Sequence, residues 1–279
     1  MIFTASAENH RGREKGVIVY PVYSRRSGGL SVGINLFPDK KSCPFDCPYC
    51  EVFPFPVSSV FSLRQMEEEL RFAIASVLKQ NIPIKDICFS GNGEPSLSAA
   101  LPDALKLAAR LRKELAPSAK LVLITNGAGL LQPSIFSLLA DAASGETAID
   151  IWLKLDAGTP EWYGKINRAN ISFSELTAKI KEFVSRAPVT LQTMLCAIDG
   201  NAPPLDEEKA LEGLTAELAI IAAQGKGFIN KVQLYGKARS APEDPKASPL
   251  PASYLEQRAT SLRRIFTENG ITTSVEVYD

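Results

Sequence analysis

The sequence has little histidine and no excess of either charge. It contains one histidine, and its 31 lysines and arginines balance 31 acidic residues. A balanced chain has no overall attraction for a polyanion such as tRNA, although a local basic patch remains an open alternative. No segment approaches the roughly 20 apolar residues of a membrane span, and the N-terminus lacks a charged-then-apolar signal pattern. We therefore expect a cytoplasmic protein without membrane partners.

Cysteine is also scarce, with five residues in 279. Three of them, Cys43, Cys47 and Cys50, are crowded together, whereas Cys88 and Cys196 stand alone in apolar segments. An odd number with this crowding does not suggest an extracellular disulfide framework, and reduced thiolates indicate a metal. We interpret Cys88 and Cys196 as small buried hydrophobic residues, with a substrate-side thiol as the alternative.

Apolar runs and helix periodicity alternate from about residue 31 onward, the pattern of stacked βα units. Strands are predicted at 16–22, 31–37, 85–90, 121–125, 149–155, 189–197, 231–234 and 271–277, and helices at 63–80, 102–115, 133–142, 207–223 and 252–268. Ser62 with Gln65, and Ser172 with Glu175, are capping pairs that mark two helix starts. About six βα units are too few for a closed eight-stranded barrel. The expected fold class is an α/β, open, partial (β/α)6 barrel with a mostly parallel sheet.

We predict a single domain over residues 1–279. An N-terminal extension and edge strand occupy 1–23, the core partial barrel 24–235, and a C-terminal loop, helix and edge strand 236–279. The segment 240–251 is proline-rich and is expected to be a loop, either a connector or a lid over the barrel mouth.

The cysteine motif Cys43-Pro-Phe-Asp-Cys47-Pro-Tyr-Cys50 has the spacing C-x3-C-x2-C directly after a predicted strand. Thiolates suit both zinc and iron–sulfur clusters. A structural zinc needs four closed positions, and the remaining cysteines and the histidine are not paired at ligand spacing. Three thiolates on a 4Fe-4S cubane leave one iron open, which allows a small molecule to be chelated through an amino and a carboxylate group.

This spacing, with the aromatic Tyr49 before the last cysteine, resembles the signature motif of the radical S-adenosylmethionine (SAM) superfamily. The segment Gly91-Asn92-Gly93-Glu94-Pro95, at the end of a predicted strand, is similar to the superfamily's glycine-rich segment, whose backbone receives the cofactor's ammonium group. Glycines permit such a close backbone approach. The resemblance also implies that Tyr49 lies near the adenine.

Further resemblances lie at the carboxyl ends of strands, where barrel active sites are built. They are Thr125-Asn126-Gly127, Lys154-Leu155-Asp156-Ala157-Gly158 and Ile166-Asn167-Arg168. The resemblance implies that Asn126 and Lys154 contact the ribose or the carboxylate of the cofactor, and that Asp156, Asn167 and Arg168 line the same mouth.

Two cofactors are implied, a 4Fe-4S cluster on Cys43, Cys47 and Cys50, and SAM on the fourth iron. By resemblance, one electron from the reduced cluster breaks a carbon–sulfur bond of SAM, and a 5′-deoxyadenosyl radical abstracts hydrogen from the substrate, as in an oxidoreductase or lyase. The expected partners are a one-electron donor of the flavodoxin or ferredoxin type and an unidentified substrate, which is a small molecule, a peptide or protein, or tRNA.

Within the superfamily the chain resembles the wyosine-synthase-like (tRNA-imidazoguanosine synthetase) group, through Ser24-Arg25-Arg26, Gly33-Ile34-Asn35 and the motifs above. Those enzymes carry a second cluster on upstream cysteines, and here no cysteine precedes Cys43. A wyosine-type tRNA-modifying synthase and a glycyl-radical-enzyme activating enzyme are therefore alternatives. A non-enzymatic metal-binding module is a third, but it leaves Gly91 to Pro95 and Lys154 unexplained.

Overall fold

The computed structural model describes residues 16–52, 60–239, 241, 244 and 246–279. The chain forms two compact units, which are described separately. The first comprises Met1–Cys43, Pro54–Thr125 and Gly145–Asp150, and the second Pro44–Phe53, Asn126–Ser144 and Ile151–Asp279. The single-domain assignment stays a prediction, and residues 1–15 of the predicted N-terminal extension lie outside the described residues. None of the described helices is both long and apolar enough to cross a membrane.

The first unit is a sheet covered by helices. Its described strands and helices are β1 (Val19–Ser24), β2 (Gly29–Ile34), α1 (Leu63–Leu78), β3 (Ile84–Phe89), α2 (Leu101–Leu115) and β4 (Lys120–Thr125). Strands β2, β3 and β4 are parallel, and β1 pairs antiparallel with β2. The predicted first strand is thus confirmed with Pro21 within it, in the edge position that a residue without an N–H tolerates.

Helix α1 begins at the residue that the capping pair indicates. The Ser62 hydroxyl accepts a hydrogen bond from the Gln65 N–H at 3.3 Å. The side-chain nitrogen of Gln65 donates to Glu69 at 2.7 Å. Glu69 in turn accepts the backbone N–H of Val19 at 2.9 Å. Through Glu69, the Gln65 side chain also supports the contact of α1 with the edge strand.

The second unit contains the predicted strands and helices in order, together with a helix, Pro160–Ile166, and a strand, Ala247–Pro249, that were not predicted. Its described elements are α3 (Pro133–Ser144), β5 (Asp150–Lys154, beginning at the last residue of the first unit), α4 (Pro160–Ile166), α5 (Phe173–Val184), β6 (Val189–Ile198), α6 (Leu205–Gln224), β7 (Ile229–Gly236), β8 (Ala247–Pro249), α7 (Ala252–Glu268) and β9 (Ser274–Tyr278). Strands β5, β6, β7 and β9 pair in parallel in that order. The capping pair of Ser172 and Glu175 starts α5 as predicted, with the Ser172 hydroxyl accepting the Glu175 N–H at 3.2 Å.

Parallel register places alternate residues of these strands on one face. Lys154 of β5 lies opposite Gln192 of β6, and Gln192 lies opposite Gln233 of β7. Since side chains alternate between the faces of a strand, Tyr235 follows Gln233 on the same face. On the other face, Leu195 and Leu234 border a cavity together with helix residues of α6 and α7. Helices α6 and α7 thus cover the face that carries Leu195 and Leu234. The side chains of Lys154, Gln192, Gln233 and Tyr235 lie on the opposite face.

Part of the segment 240–251 is a strand, so the prediction of a loop throughout is wrong. Strand β8 pairs antiparallel with Cys196–Ile198, the last residues of β6. The pairing of β6 with β7 ends at Leu195, and β8 pairs with β6 beyond that point, so the end of β6 keeps a ladder partner. Pro249 is the final residue of β8, where a missing N–H is tolerated. Residues 240, 242, 243 and 245 lie outside the described residues.

Candidate active site

The glycine-rich segment lies in the first unit, beyond the end of β3. The Asn92 N–H donates to the side-chain oxygen of Asn35 at 3.1 Å, and the Asn92 amide donates to the Phe37 carbonyl at 3.2 Å. Gly91 has a φ of +153°, and a Cβ there would lie 2.5 Å from the Asn35 side-chain oxygen. Gly91 is therefore required by packing against Asn35, a fully buried residue that sequence reasoning did not assign to the site.

Glu94 is buried and fixes the end of this segment. Its carboxylate accepts hydrogen bonds from the Ser96 N–H at 3.0 Å, the Ser96 hydroxyl at 2.6 Å and the Thr125 hydroxyl at 2.6 Å. A carboxylate with three donors is held in place. Glu94 thus ties the glycine-rich segment to the end of β4, within the first unit.

The cysteine motif crosses from one unit to the other. Cys43 is an exposed residue of the first unit, and Cys47 and Cys50 are half-buried residues of the second. None of the five cysteines is in a disulfide. The Cys50 N–H donates to the Cys47 carbonyl at 2.9 Å, which closes a tight turn between these two cysteines.

Cys47 contacts Asn167, one of the residues that the resemblance implies. The Asn167 side-chain nitrogen lies 3.7 Å from the Cys47 sulfur and 3.0 Å from a carboxylate oxygen of Asp156. The Asn167 carbonyl accepts the Asp46 N–H at 3.1 Å, so the main chain of the cysteine motif is also held to Asn167. Asn167 sits at the C-cap of α4, a helix that the sequence analysis did not predict.

Asp156 is the centre of a buried polar cluster in the second unit. Its carboxylate accepts the Tyr49 hydroxyl and the Met194 N–H, the latter at 2.9 Å. It also forms an ion pair with Lys154, with 3.3 Å between the side-chain nitrogen and a carboxylate oxygen. The structure therefore brings together four of the predicted cofactor residues, Tyr49, Lys154, Asp156 and Asn167, around Cys47.

Lys154 makes a further contact that sequence reasoning missed. Its side-chain nitrogen lies 2.6 Å from the Tyr235 hydroxyl and 4.7 Å from the centre of the Tyr49 ring. Cation–π contact and hydrogen bonding both stabilise the ammonium. Tyr235 gave no sequence signal, because its proximity to Lys154 follows from the register of β5, β6 and β7.

The ionisation of the cluster follows from burial and from the Asp156 charge. Burial, and then the Asp156 carboxylate, raise the pKa of Tyr49 well above its ordinary value, so the phenol stays protonated and donates. Burial alone would lower the pKa of Lys154, but the Asp156 carboxylate, Tyr235 and Cys47 together outweigh burial and raise that pKa above its ordinary value. Desolvation raises the pKa of Cys47 to about 11, against the opposing effect of Lys154.

The two other predicted cofactor residues lie elsewhere in the second unit. The Asn126 side-chain oxygen accepts the Ala128 N–H at 3.0 Å and so caps the turn after β4. Arg168, which has a φ of +45°, forms ion pairs with Asp244 and, at 3.9 Å, with Asp46. Neither side chain makes one of the hydrogen bonds described for the Asp156 cluster.

The donor set suits an iron–sulfur cluster. Three thiols within a short loop are the ligands that such clusters take, and a bound metal displaces the thiol proton that burial otherwise retains. The Asn167 N–H directed at the Cys47 sulfur favours the thiolate form. Within the described residues, no three His, Cys, Asp or Glu side chains form a metal-binding group as they stand.

Two curated proteins of Helicobacter pylori are similar to the chain. The UPF0026 protein of strain J99 is 28% identical over 171 residues, which is 57% of this chain and 52% of that protein. The UPF0026 protein of strain 26695 is 31% identical over 136 residues, which is 46% of this chain and 41% of that protein. The chain thus spans about half the length of the curated relatives it matches.

Solved structures resemble the chain over most of its length. Streptococcus suis SuiB bound to S-adenosylmethionine has a TM-score of 0.63 at 12% identity, covering 85% of this chain and 48% of SuiB. A radical SAM methyltransferase from Sphaerobacter thermophilus has a TM-score of 0.61 at 15% identity, covering 89% of this chain and 66% of that one. At these identities the likeness shows the fold alone, and it confirms the predicted α/β partial-barrel class.

The family model for the Radical SAM superfamily matches residues 40–200. That region is more than half of the 279 residues and includes the cysteine motif, the glycine-rich segment and the Asp156 cluster. The chain therefore belongs to the radical SAM superfamily and is an enzyme.

Proposed function

We propose that Cys43, Cys47 and Cys50 hold a 4Fe-4S cluster in this chain and that SAM binds at its open iron. When bound, the cluster supplies the electron that splits SAM into methionine and a 5′-deoxyadenosyl radical, which takes a hydrogen atom from the substrate. The superfamily implies both cofactors, and SuiB, a structure of similar fold, was solved with SAM bound.

The observation that carries this proposal is the contact between the cysteine motif and the Asp156 cluster. Asn167 lies between the Cys47 sulfur and the Asp156 carboxylate, at 3.7 Å and 3.0 Å. A motif whose cysteines merely close a loop requires no buried ionic group behind it. A site for a charged cofactor does, because oriented charges and hydrogen bonds position such a ligand.

Lys154 has the properties of a binding residue for an anionic group. Its raised pKa keeps it cationic at neutral pH, and Asp156 and Tyr235 fix its direction. A carboxylate of SAM or of the substrate is the matching partner. The rings of Tyr49 and Tyr235 are both buried, and they exclude water from the ammonium.

The proposal is tested by anaerobic reconstitution with iron and sulfide, followed by incubation with SAM and dithionite. We expect about four irons per chain, as in a cubane cluster, and reduction-dependent release of 5′-deoxyadenosine. Alanine variants of Cys43, Cys47 and Cys50 should lose both the iron and the product. A flavodoxin or ferredoxin system should replace dithionite, since we propose a donor of that type as the physiological partner.

Cys88 and Cys196 provide matched controls on the same chain. Both are buried in strands, β3 and β6, away from the cysteine motif in sequence. Their alanine variants should retain iron and 5′-deoxyadenosine formation. Stoichiometric zinc without 5′-deoxyadenosine in the wild-type protein would instead indicate a metal-binding module.

A further inference from the structure

We propose that Asn167 is a positioning residue that raises the reduction potential of the cluster through a hydrogen bond from its side-chain amide to the Cys47 sulfur. The inference rests on the proposed function, because it requires Cys47 to be an iron ligand. It concerns the electron-transfer step and assigns to Asn167 a role toward the cluster in addition to any contact with SAM.

The geometry singles out the side-chain nitrogen of Asn167 as a donor. This nitrogen is 3.7 Å from the Cys47 sulfur and 3.0 Å from an Asp156 oxygen. A carboxamide nitrogen carries two hydrogens, so a single group serves both acceptors. Because an ionised carboxylate only accepts hydrogen bonds, Asp156 also determines that the nitrogen, and not the amide oxygen, faces this pair.

The position of Asn167 is fixed from both sides. Its N–H donates to the Tyr163 carbonyl at 2.9 Å, at the end of α4, and its own carbonyl accepts the Asp46 N–H at 3.1 Å. Asp156 in turn is held by the Met194 N–H at 2.9 Å. Asn167 is 3% exposed, so water does not compete for its amide. The amide is therefore oriented before any metal binds.

A donor held at this sulfur acts on the redox equilibrium. In the thiol form, the Cys47 sulfur also lies 3.7 Å from the Asn167 carbonyl, which accepts the thiol proton. An iron bound at this sulfur would take the place of the thiol proton. The Asn167 side-chain amide would then remain as the hydrogen-bond donor to the sulfur. Reduction places more negative charge on the cluster and its sulfurs, so an N–H directed at a sulfur stabilises the reduced state and raises the potential.

The test measures the midpoint potential of the reconstituted cluster without SAM, by dithionite titration followed with electron paramagnetic resonance. Asn167→Leu keeps the approximate volume and removes the donor. At a fixed ambient potential, we expect the ratio of reduced to oxidised cluster to fall about tenfold, the scale of one hydrogen bond. For a one-electron couple this is a shift of about 59 mV toward lower potential.

Asn269→Leu is the matched control. Asn269 is an exposed asparagine at the end of α7 in the same unit, and its side chain donates to the Ile265 carbonyl at 2.8 Å. Its replacement should leave the potential unchanged. An unchanged potential in Asn167→Leu, with iron content equal to wild type, would overturn the inference.

If Asn167→Leu fails to assemble its cluster, a second measurement, made on the wild-type protein, tests the inference. In deuterated buffer, electron–nuclear double resonance of the reduced wild-type cluster should detect a coupled exchangeable deuteron, and selective 15N labelling of asparagine side chains should reveal a coupled nitrogen. No asparagine coupling would overturn the inference. A Cys47→Ala variant that still holds a complete cluster would instead show that the proposed ligand set is wrong, so the two failures are distinguishable.

Discussion

Gly93 lies against the backbone of Ser42, the residue that precedes the first cysteine of the motif. A Cβ at position 93 would fall 2.1 Å from the Ser42 carbonyl oxygen. The Glu94 N–H donates to that same carbonyl at 2.8 Å, and the Ser42 N–H donates to the Asn92 carbonyl at 3.0 Å. The glycine-rich segment thus positions the chain directly before Cys43, within the first unit.

This contact predicts the effect of Gly93→Ala. The added methyl group would clash with backbone, which cannot move as a flexible side chain does, and we expect a loss of about 1 to 3 kcal/mol in the free energy of unfolding. Iron loading should fall with it. Urea denaturation and iron analysis check both results. Gly213→Ala is the control, because nothing lies within 4 Å of a Cβ there, and a helical alanine should stabilise by about 0.5 to 1 kcal/mol. Equal stability of the two variants would contradict this account.

The ion pair of Lys154 and Asp156 predicts strong coupling between the two residues. Asp156→Asn leaves a buried ammonium without its carboxylate, and we expect a loss of about 3 kcal/mol in the free energy of unfolding. The double variant with Lys154→Met should lose less than the sum of the single losses, by about 1 kcal/mol or more. Denaturant unfolding of the four proteins measures this cycle. Strictly additive losses would show that the pair is not coupled.

The same pair predicts a pH dependence with a defined sign. Burial lowers the pKa of Lys154, but Asp156, Tyr235 and Cys47 together outweigh burial and hold that pKa above its ordinary value of 10.5. A raised pKa contributes stability that is fully present below the ordinary value and is lost as the pH rises through the folded-state value. The stability difference between wild type and Lys154→Met should therefore stay constant from about pH 7 to 9. A difference that vanishes in that interval would contradict the raised pKa.

Cys196 should behave as an inert core residue. It is fully buried in β6, and burial, followed by the Asp156 charge, raises its pKa to about 12. Because the thiolate is the reactive form, iodoacetamide at pH 8 should label Cys196 only as fast as the metal-free protein unfolds. Cys43 is exposed and serves as the internal comparison in the same mass spectra. Labelling of Cys196 at the rate of Cys43 would contradict a buried role.

Most of the fold could be predicted from the sequence because helix periodicity, capping residues and apolar runs are local signals. Helix α7 occupies Ala252–Glu268, as periodicity indicates, and the ends of most other elements differ from prediction by a few residues. Helix α4 was missed although Thr159 caps it and Pro160 occupies its first turn, a known start signal. Its seven residues were too few to show periodicity. Strand β8 was missed for a different reason, since its pairing with β6 is a long-range contact.

Residues of the candidate site could be predicted where they belong to motifs that resemble those of the superfamily. They could not be predicted where tertiary contacts alone bring them to the site. Motifs identify both Asn167 and Asp156, and the structure shows Asn167 in contact with Cys47 and Asp156 in contact with Asn167. Asn35 and Tyr235 were not assigned, because the first acts through the fold of the glycine-rich segment and the second through strand register. No local pattern in a sequence encodes either relationship.

The most direct test of the central claim is electron–nuclear double resonance on the reduced, reconstituted protein with SAM labelled with 17O in its carboxylate and 15N in its amino group. Three cysteine ligands leave one iron open, so both labels should couple strongly to the cluster. Cys88→Ala should give the same spectrum, and the triple alanine variant of Cys43, Cys47 and Cys50 should give no cluster signal. A reduced cluster that shows no coupling to either label would contradict the claim that its open iron binds SAM.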